Sequence, residues 1–251
     1  MLYSLRSLII KIEKRTKISL FIFFPFRLLL VILENILLKK NKSLSKFSNY
    51  FIDSKKLQNK ELVIISGGVG NDISFEENIY QSFKVKKMIL IDPTQVSKEL
   101  LDQNEKFFFE NYALFTNNND MKIFFKEGNV NLSLENLFNT NSFFNVKCIT
   151  LNQLIKKYSI KKIDILKLDI EGVADKVIIK ALKDNLDIDQ ICFELERPIN
   201  PLKQFDYFAR YLKLIKILKK NNYFLYNCTQ LKLGLRSEIL ALKKHEQNID
   251  N

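Results

Sequence analysis

Three of the chain's six glycines fall within four positions, at Gly67, Gly68 and Gly70. They interrupt ELVIISGGVGNDISFEE (61–77), where an apolar run stops at Ser66 and a polar amphipathic stretch begins. Glycine reaches backbone angles that other residues avoid and lets other groups approach the main chain. A strand-to-helix turn of this kind, ending in Asn71, offers backbone amides to a ligand. Asp92 stands 22 residues after Gly70, closing the apolar run MILID. A carboxylate at a strand tip can accept hydrogen bonds from both hydroxyls of a ribose. Turn and acid together point to an adenosyl cofactor held by Gly67, Gly68, Gly70, Asn71 and Asp92.

The spacing discriminates among such cofactors. Counted from Gly68, the pattern G-x-G-x-x-G has Ile73 where its third glycine should stand. A dinucleotide pyrophosphate needs that close approach, so the pattern weighs against NAD. No GxxxxGK[ST] occurs, which excludes a P-loop. S-adenosylmethionine carries no phosphate and tolerates a looser turn. The competing structural explanation is a plain strand-to-helix turn with an incidental acid.

A second group of acids follows in KIDILKLDIEG (162–172). Alternation along a strand sends Lys167, Asp169 and Glu171 to one side. Asp169 and Glu171 then emerge at the carboxyl edge of the sheet, and Asp164 lies at the opposite end. Glu194 and Glu196, in QICFELE (190–196), reach the same carboxyl edge from the next strand. These acids are either a solvated rim or the general-base group of an active site. Asp169, Glu171 and Glu194 are the catalytic candidates, and Asp169 is also a cofactor-binding candidate.

The elements that must position them alternate. Strands are expected at 62–66, 88–92, 162–170, 190–196, 223–228 and 238–243, with ALFT (113–116) and MKIFF (121–125) as a hairpin around NNND. Helices are expected at 72–83, 96–106, 151–158 (capped by Thr150), 173–184 and 202–221. This order predicts an α/β fold: a Rossmann-like, seven-stranded, mostly parallel sheet with helices on both faces and an antiparallel edge hairpin. Such sheets bind ligands beyond the carboxyl ends of their strands.

The stretch TLNQLIKKYSIKKIDILKLDIEG (150–172) resembles the FkbM-type methyltransferases, whose sequences carry a T-L-[DN]-x-L helix followed by a K-[IL]-D-[VI]-E-G strand end. ISGGVGNDISFE, ILIDPT and ENYALFTNNNDMKIFF resemble that family's cofactor loop, ribose-binding strand and following hairpin, in the same order over residues 61–243. The resemblance implies a class I methyltransferase using S-adenosylmethionine. It matches Gly67, Gly68 and Gly70 to the cofactor loop, Asp92 to the ribose acid, and Asp169 and Glu171 to the acidic pair. It also implies an O-methyltransferase for a hydroxyl of a saccharide or glycolipid-type acceptor. Phe115 and Thr116 depart from the small or polar residues usual after the third strand, and Asn222 stands where a glycine is common. An NAD-dependent oxidoreductase and a non-catalytic membrane-associated scaffold are the alternatives.

Composition bounds the rest. At 251 residues and 47% hydrophobic, the chain can bury a large core. The single histidine, His245, rules out Ser-His-Asp triads, Cys-His pairs and histidine-rich metal sites. Cys148, Cys192 and Cys228 form no CxxC and are expected as buried free thiols in the cytoplasm. The net charge of +12 is uneven: residues 1–60 hold 13 Lys/Arg and 3 Asp/Glu, whereas residues 61–251 hold 27 and 25. Basicity confined to the start of the chain argues against a nucleic-acid partner. The sequence divides into a basic, apolar helical extension (1–58), a catalytic domain (59–245) and a polar tail (246–251). Ile18–Leu38 is apolar but carries Pro25, Arg27, Glu34 and Asn35. It spans a bilayer, lies on an anionic membrane surface through residues 1–46, or packs on its own domain or a second subunit as a homo-oligomer.

Overall fold

The computed structural model describes residues 28–29, 31–40, 43–102, 104–125, 132–136, 140–196, 201–229 and 236–244, with only the backbone of 201–204. The basic start from Arg6 to Lys17, the run Ile18–Leu38 up to residue 27, and the tail with His245 lie outside these residues.

The strands in chain order are β1 (Lys39–Lys40), β2 (Ser45–Phe47), β3 (Tyr50–Ile52), β4 (Leu62–Gly67), β5 (Val85–Ile91), β6 (Phe108–Glu110), β7 (Ala113–Leu114) and β8 (Met121–Phe125). They continue as β9 (Leu132–Ser133), β10 (Phe143–Val146), β11 (Cys148–Ile149), β12 (Ile163–Leu168), β13 (Ile188–Glu196), β14 (Tyr223–Asn227) and β15 (Arg236–Lys243). The helices are α1 (Ser74–Ser82), α2 (Gln95–Leu101), α3 (Leu151–Lys157), α4 (Ala174–Lys183) and α5 (Pro201–Lys220).

Eight strands form the main sheet in the order β1-β14-β15-β13-β12-β4-β5-β6. From β13 to β6 all pairings are parallel, and β15 runs antiparallel to both neighbours. All six residues of β12 are buried, as expected for a central strand covered on both faces. Alternate side chains feed two cores. Ile65, Ile89, Leu166 and Phe193 pack with α3, α4 and α5. Ile64, Met88, Leu90 and Ile165 pack with α1, α2 and the β2–β3 hairpin. The helix starts follow local chemistry. Thr150 caps α3 in a reciprocal box with Gln153, and Thr94 caps α2 through the Ser97 amide.

Three expectations change. Residues 96–106 are not one helix: α2 stops at Leu101, and β6, which the sequence reading missed, supplies the outer parallel strand. Residues 113–125 are not a hairpin either. β7 pairs with β11, whereas β8 pairs with β9 and β10, because the small sheets follow long-range partners rather than the NNND turn. Residues 39–52 carry short strands rather than a helical extension. β1 adds to the sheet edge beside β14, the Glu34 carboxylate accepts from Ser237, and Tyr50, Ile52 and Leu57 are core residues. Among the described residues no helix is long and apolar enough to cross a membrane. All three cysteines are buried and free.

Candidate active site

The glycine turn is built by its neighbours. The Gly68 amide donates to the Ile91 carbonyl and the Asp169 amide to the Gly67 carbonyl, both at 2.9 Å, which stitches β5, β4 and β12 together at their carboxyl ends. Gly68 has φ +76°, and a Cβ there would lie 1.9 Å from the Asp169 carbonyl oxygen. This glycine therefore serves chain-to-chain approach rather than ligand access. Gly70, at φ +59°, faces open space, and Asn71 beside it is exposed.

Asp92 lies at the turn, as the sequence reading requires. Its Oδ2 accepts from the Val69 and Gly70 amides at 3.0 Å, and its Oδ1 from the Thr94 amide at 2.9 Å and hydroxyl at 2.5 Å. Ser97 Oγ donates to the Gly70 carbonyl at 2.6 Å. In this state Asp92 fastens the turn with both oxygens, so a ribose would have to exchange for some of these partners.

Beyond the turn lies one cleft with two halves. The polar half encloses about 250 Å³ and includes Tyr50, Gly70, Asn71 and Lys167. The apolar half, about 80 Å³, is walled by Ile91, Leu114, Ile123, Leu132 and Leu134. Gly68, Asp92, Thr94, Asp169 and Glu171 border both halves. The apolar half thus offers hydrophobic walls, and the other half polar and charged groups. Phe115 packs with Ile123, Val146 and Cys148 in the cluster behind the apolar half, which accounts for its departure from small or polar types.

The strand alternation holds: Lys167, Asp169 and Glu171 all line the cleft. Lys167 is buried, donates to the Gly68 carbonyl at 3.2 Å and pairs with Glu76 at 3.3 Å. Burial pulls its ammonium pKa down, but Glu76 and Asp169 outweigh that and hold it above the usual value. Glu76 also accepts from Ser66. Burial, and then Asp169, pushes the Glu171 carboxyl up to about 7.

Glu194 does not line the cleft. It sits behind Tyr50, accepting the Tyr50 hydroxyl at 3.3 Å and Arg236 Nη1 at 2.8 Å. Burial and Asp169 push it up to about 7. Its expected place among the cleft-facing acids is corrected to one bonded to the Tyr50 hydroxyl, which itself belongs to the cleft lining. Tyr50, whose ring centroid is 5.1 Å from Lys167 Nζ, was missed by sequence reasoning. Nothing near Tyr50 in the chain signals chemistry; it enters only because the β2–β3 hairpin folds over the strand ends. Glu76 was missed as an ordinary first-turn helix acid. Among the described residues, no three side chains of metal-binding type converge.

The family model of the methyltransferase FkbM domain matches residues 53–225. No protein of curated function matches the chain. Among solved structures, a Clostridium thermocellum protein described as an rRNA methylase is 12% identical at a TM-score of 0.44, over 78% of this chain and 94% of its own. The METTL16 methyltransferase domain is 8% identical at 0.41, over 75% and 61%. TYW2 of M. jannaschii, solved with AdoMet, is 12% identical at 0.34, over 81% and 85%. With more than half of its length under the family model, the chain belongs to the FkbM family of methyltransferase domains.

Proposed function

We propose that this chain is an S-adenosylmethionine-dependent O-methyltransferase acting on a hydroxyl of a saccharide or glycolipid-type acceptor. The observation that carries the reading is the convergence of the Val69 and Gly70 amides, Asp92 and the Asp169–Glu171 edge on one cleft with an apolar end. The residues fit the donor. Ile91, Leu114 and Leu134 would face adenine, Asp92 the ribose, and the acidic edge the cationic sulfonium. The bound donor supplies an already activated methyl group.

The chain's own task is then mainly orientation, which is worth about 7–11 kcal/mol in well-placed reactions, while a general base adds about 10²–10⁴-fold. Glu171 borders the cleft and takes the hydroxyl proton as the oxygen–carbon bond forms and the carbon–sulfur bond breaks. A base titrating close to the working pH suits that step, and burial, with the Asp169 charge second, keeps Glu171 there. Calorimetry with S-adenosylhomocysteine and with NAD tests the donor. Tight binding of the first, weakened about tenfold or more in Asp92→Asn, supports the reading. Binding of NAD alone would replace it with an oxidoreductase, and binding of neither with a scaffold.

A second observation bears on where the enzyme works. Leu28, Leu29, Ile32 and Ile36 are exposed, Ile36 at 71%, and the exposed Lys39 and Lys40 follow. This apolar face with a basic flank suits an anionic lipid surface. Wild-type protein should sediment with phosphatidylglycerol vesicles and not with phosphatidylcholine vesicles. Retention of vesicle binding in an Ile32→Asp/Ile36→Asp double variant would remove the idea.

A further inference from the structure

A second cavity, of about 200 Å³, opens one residue along the backbone from the donor cleft. Glu171 borders the cleft and Gly172 borders this cavity. Its floor is Leu195 and Glu196 at the end of β13, and its wall is Tyr207, Arg210 and Tyr211 of α5. We propose that this cavity seats the acceptor, and that the acceptor unit held there is a neutral polyhydroxylated ring contacted by Glu196 and Tyr207. The proposal rests on the methyltransferase reading and adds to it a place and a charge class for the acceptor.

Charge carries the first part. Arg210 is held by two acids: Nε and Nη2 bind Asp175 at 2.9 and 2.6 Å, Nη1 binds Glu135 at 2.9 Å, and Nη2 also donates to the Gly172 carbonyl at 2.8 Å, so its charge is paired and four of its five N–H groups are used. No other described side chain lining the cavity is cationic, and Asp206 adds an acid. A phosphorylated or carboxylated acceptor would meet repulsion without a counter-ion. A neutral hydroxyl would not.

Glu196 carries the second part. Its Oε2 accepts the Gly172 amide at 2.6 Å, while its Oε1 is closed off from solvent and unpartnered. A buried polar atom left unmet costs about 1–3 kcal/mol, and a ligand hydroxyl would remove that cost. Burial outweighs the Gly172 hydrogen bond and pushes the carboxyl up to about 8, so at neutral pH it holds a proton to donate. Glu171 and Asp169 also act on this carboxyl, so the cavity lies within electrostatic reach of the proposed base. The rings of Tyr207 and Tyr211, 6.2 Å apart, supply an aromatic wall for the C–H face of a sugar ring.

The test uses full-length protein loaded with S-adenosylhomocysteine. A panel of neutral methyl glycosides and glucose 6-phosphate is titrated by saturation-transfer NMR. At least one glycoside should bind, glucose 6-phosphate should not, and Glu196→Ala and Tyr207→Leu should each weaken the glycoside about tenfold. Unchanged S-adenosylhomocysteine affinity in both variants certifies their folding, and Glu196→Gln, which keeps a donor, should bind nearly as wild type does. Glycosides that fail to bind, or that bind both variants as tightly as wild type, overturn the proposal, as does equal binding of glucose 6-phosphate. Should S-adenosylhomocysteine itself not bind, the methyltransferase reading falls. Should it bind while the glycosides do not, only the acceptor cavity falls.

Discussion

The two ends of the central strands carry the same residue types in opposite circumstances. At the amino end, Asp164 and Asp189 are met by lysines: Lys60 lies 3.5 Å and Lys162 2.8 Å from Asp189, and the Val63 amide donates to Asp164 at 2.9 Å. At the carboxyl end, Arg236 pairs with Glu194 and acts at longer range on Asp169 and Glu171, and Lys167 beneath them pairs with Glu76. One end is balanced and serves the fold. The other keeps an excess of acid, with three carboxyls pushed up to about 7, 7 and 8, mainly by burial. An unbalanced, partly desolvated acid group is costly in a resting protein and useful to one that must attract a cation and accept a proton.

The contrast can be broken at its strongest point first. Glu171→Gln should lower methyl-transfer turnover by about 10²–10⁴-fold while leaving donor affinity nearly unchanged, as read with a labelled methyl group. Full turnover would make the acidic edge a solvated rim. Next, Lys167→Met strands the buried Glu76, so urea unfolding should show a loss of about 3–5 kcal/mol. A loss below about 1 kcal/mol would mean that the Lys167–Glu76 pair contributes little to the fold.

The pH dependence sharpens the comparison. Because the folded-state values of Glu171, Glu194 and Glu196 are raised above the ordinary 4.5, the folded protein binds more protons than the unfolded chain between about pH 4.5 and 8. Stability from these groups is therefore greatest at the acid side of that window and falls as pH rises through 7 to 8. The thermal midpoint should be lower at about pH 8.5 than at about pH 6. Activity should move the other way, rising through about pH 7 as Glu171 loses its proton. Asp169→Asn, by removing the charge that raises Glu171, should shift that rising limb to lower pH. A limb that stays in place would detach Asp169 from the proton step. The smallest effect belongs to the balanced end: Lys162→Ala removes a partly exposed lysine from the buried Asp189, which keeps Lys60 at 3.5 Å, and should cost about 1 kcal/mol and leave turnover within about twofold. A large activity loss there would erase the distinction between the two ends.

Legibility followed the range of the interactions. The β4 turn, the β5 acid and the K-L-D-I-E-G strand end could be read because each is a local pattern: glycine at a tight turn, alternation along a strand, an acid at a tip. The mostly parallel sheet followed from the strand–helix alternation, although β6 at its edge was missed. Tyr50 could not be read, since its partner Glu194 is 144 residues away. The hairpin expected around NNND failed for the same reason. Its strands chose partners at 132–133 and 143–149, and local turn chemistry could not overrule that pairing. The Gly68 turn was located correctly, but its use was not: the space freed by the missing side chain holds the Asp169 carbonyl.

The sequence by itself determined the doubly wound sheet, the acids that reach its carboxyl edge, and the family to which the chain belongs, because periodicity and motif are properties of neighbouring residues. Only the tertiary structure decided which acids face the cleft, which are held behind Tyr50 or under Gly172, and which find a lysine. Those outcomes depend on burial and on charges brought close by distant segments, and Coulomb and desolvation energies are set by distance in space rather than by distance along the chain.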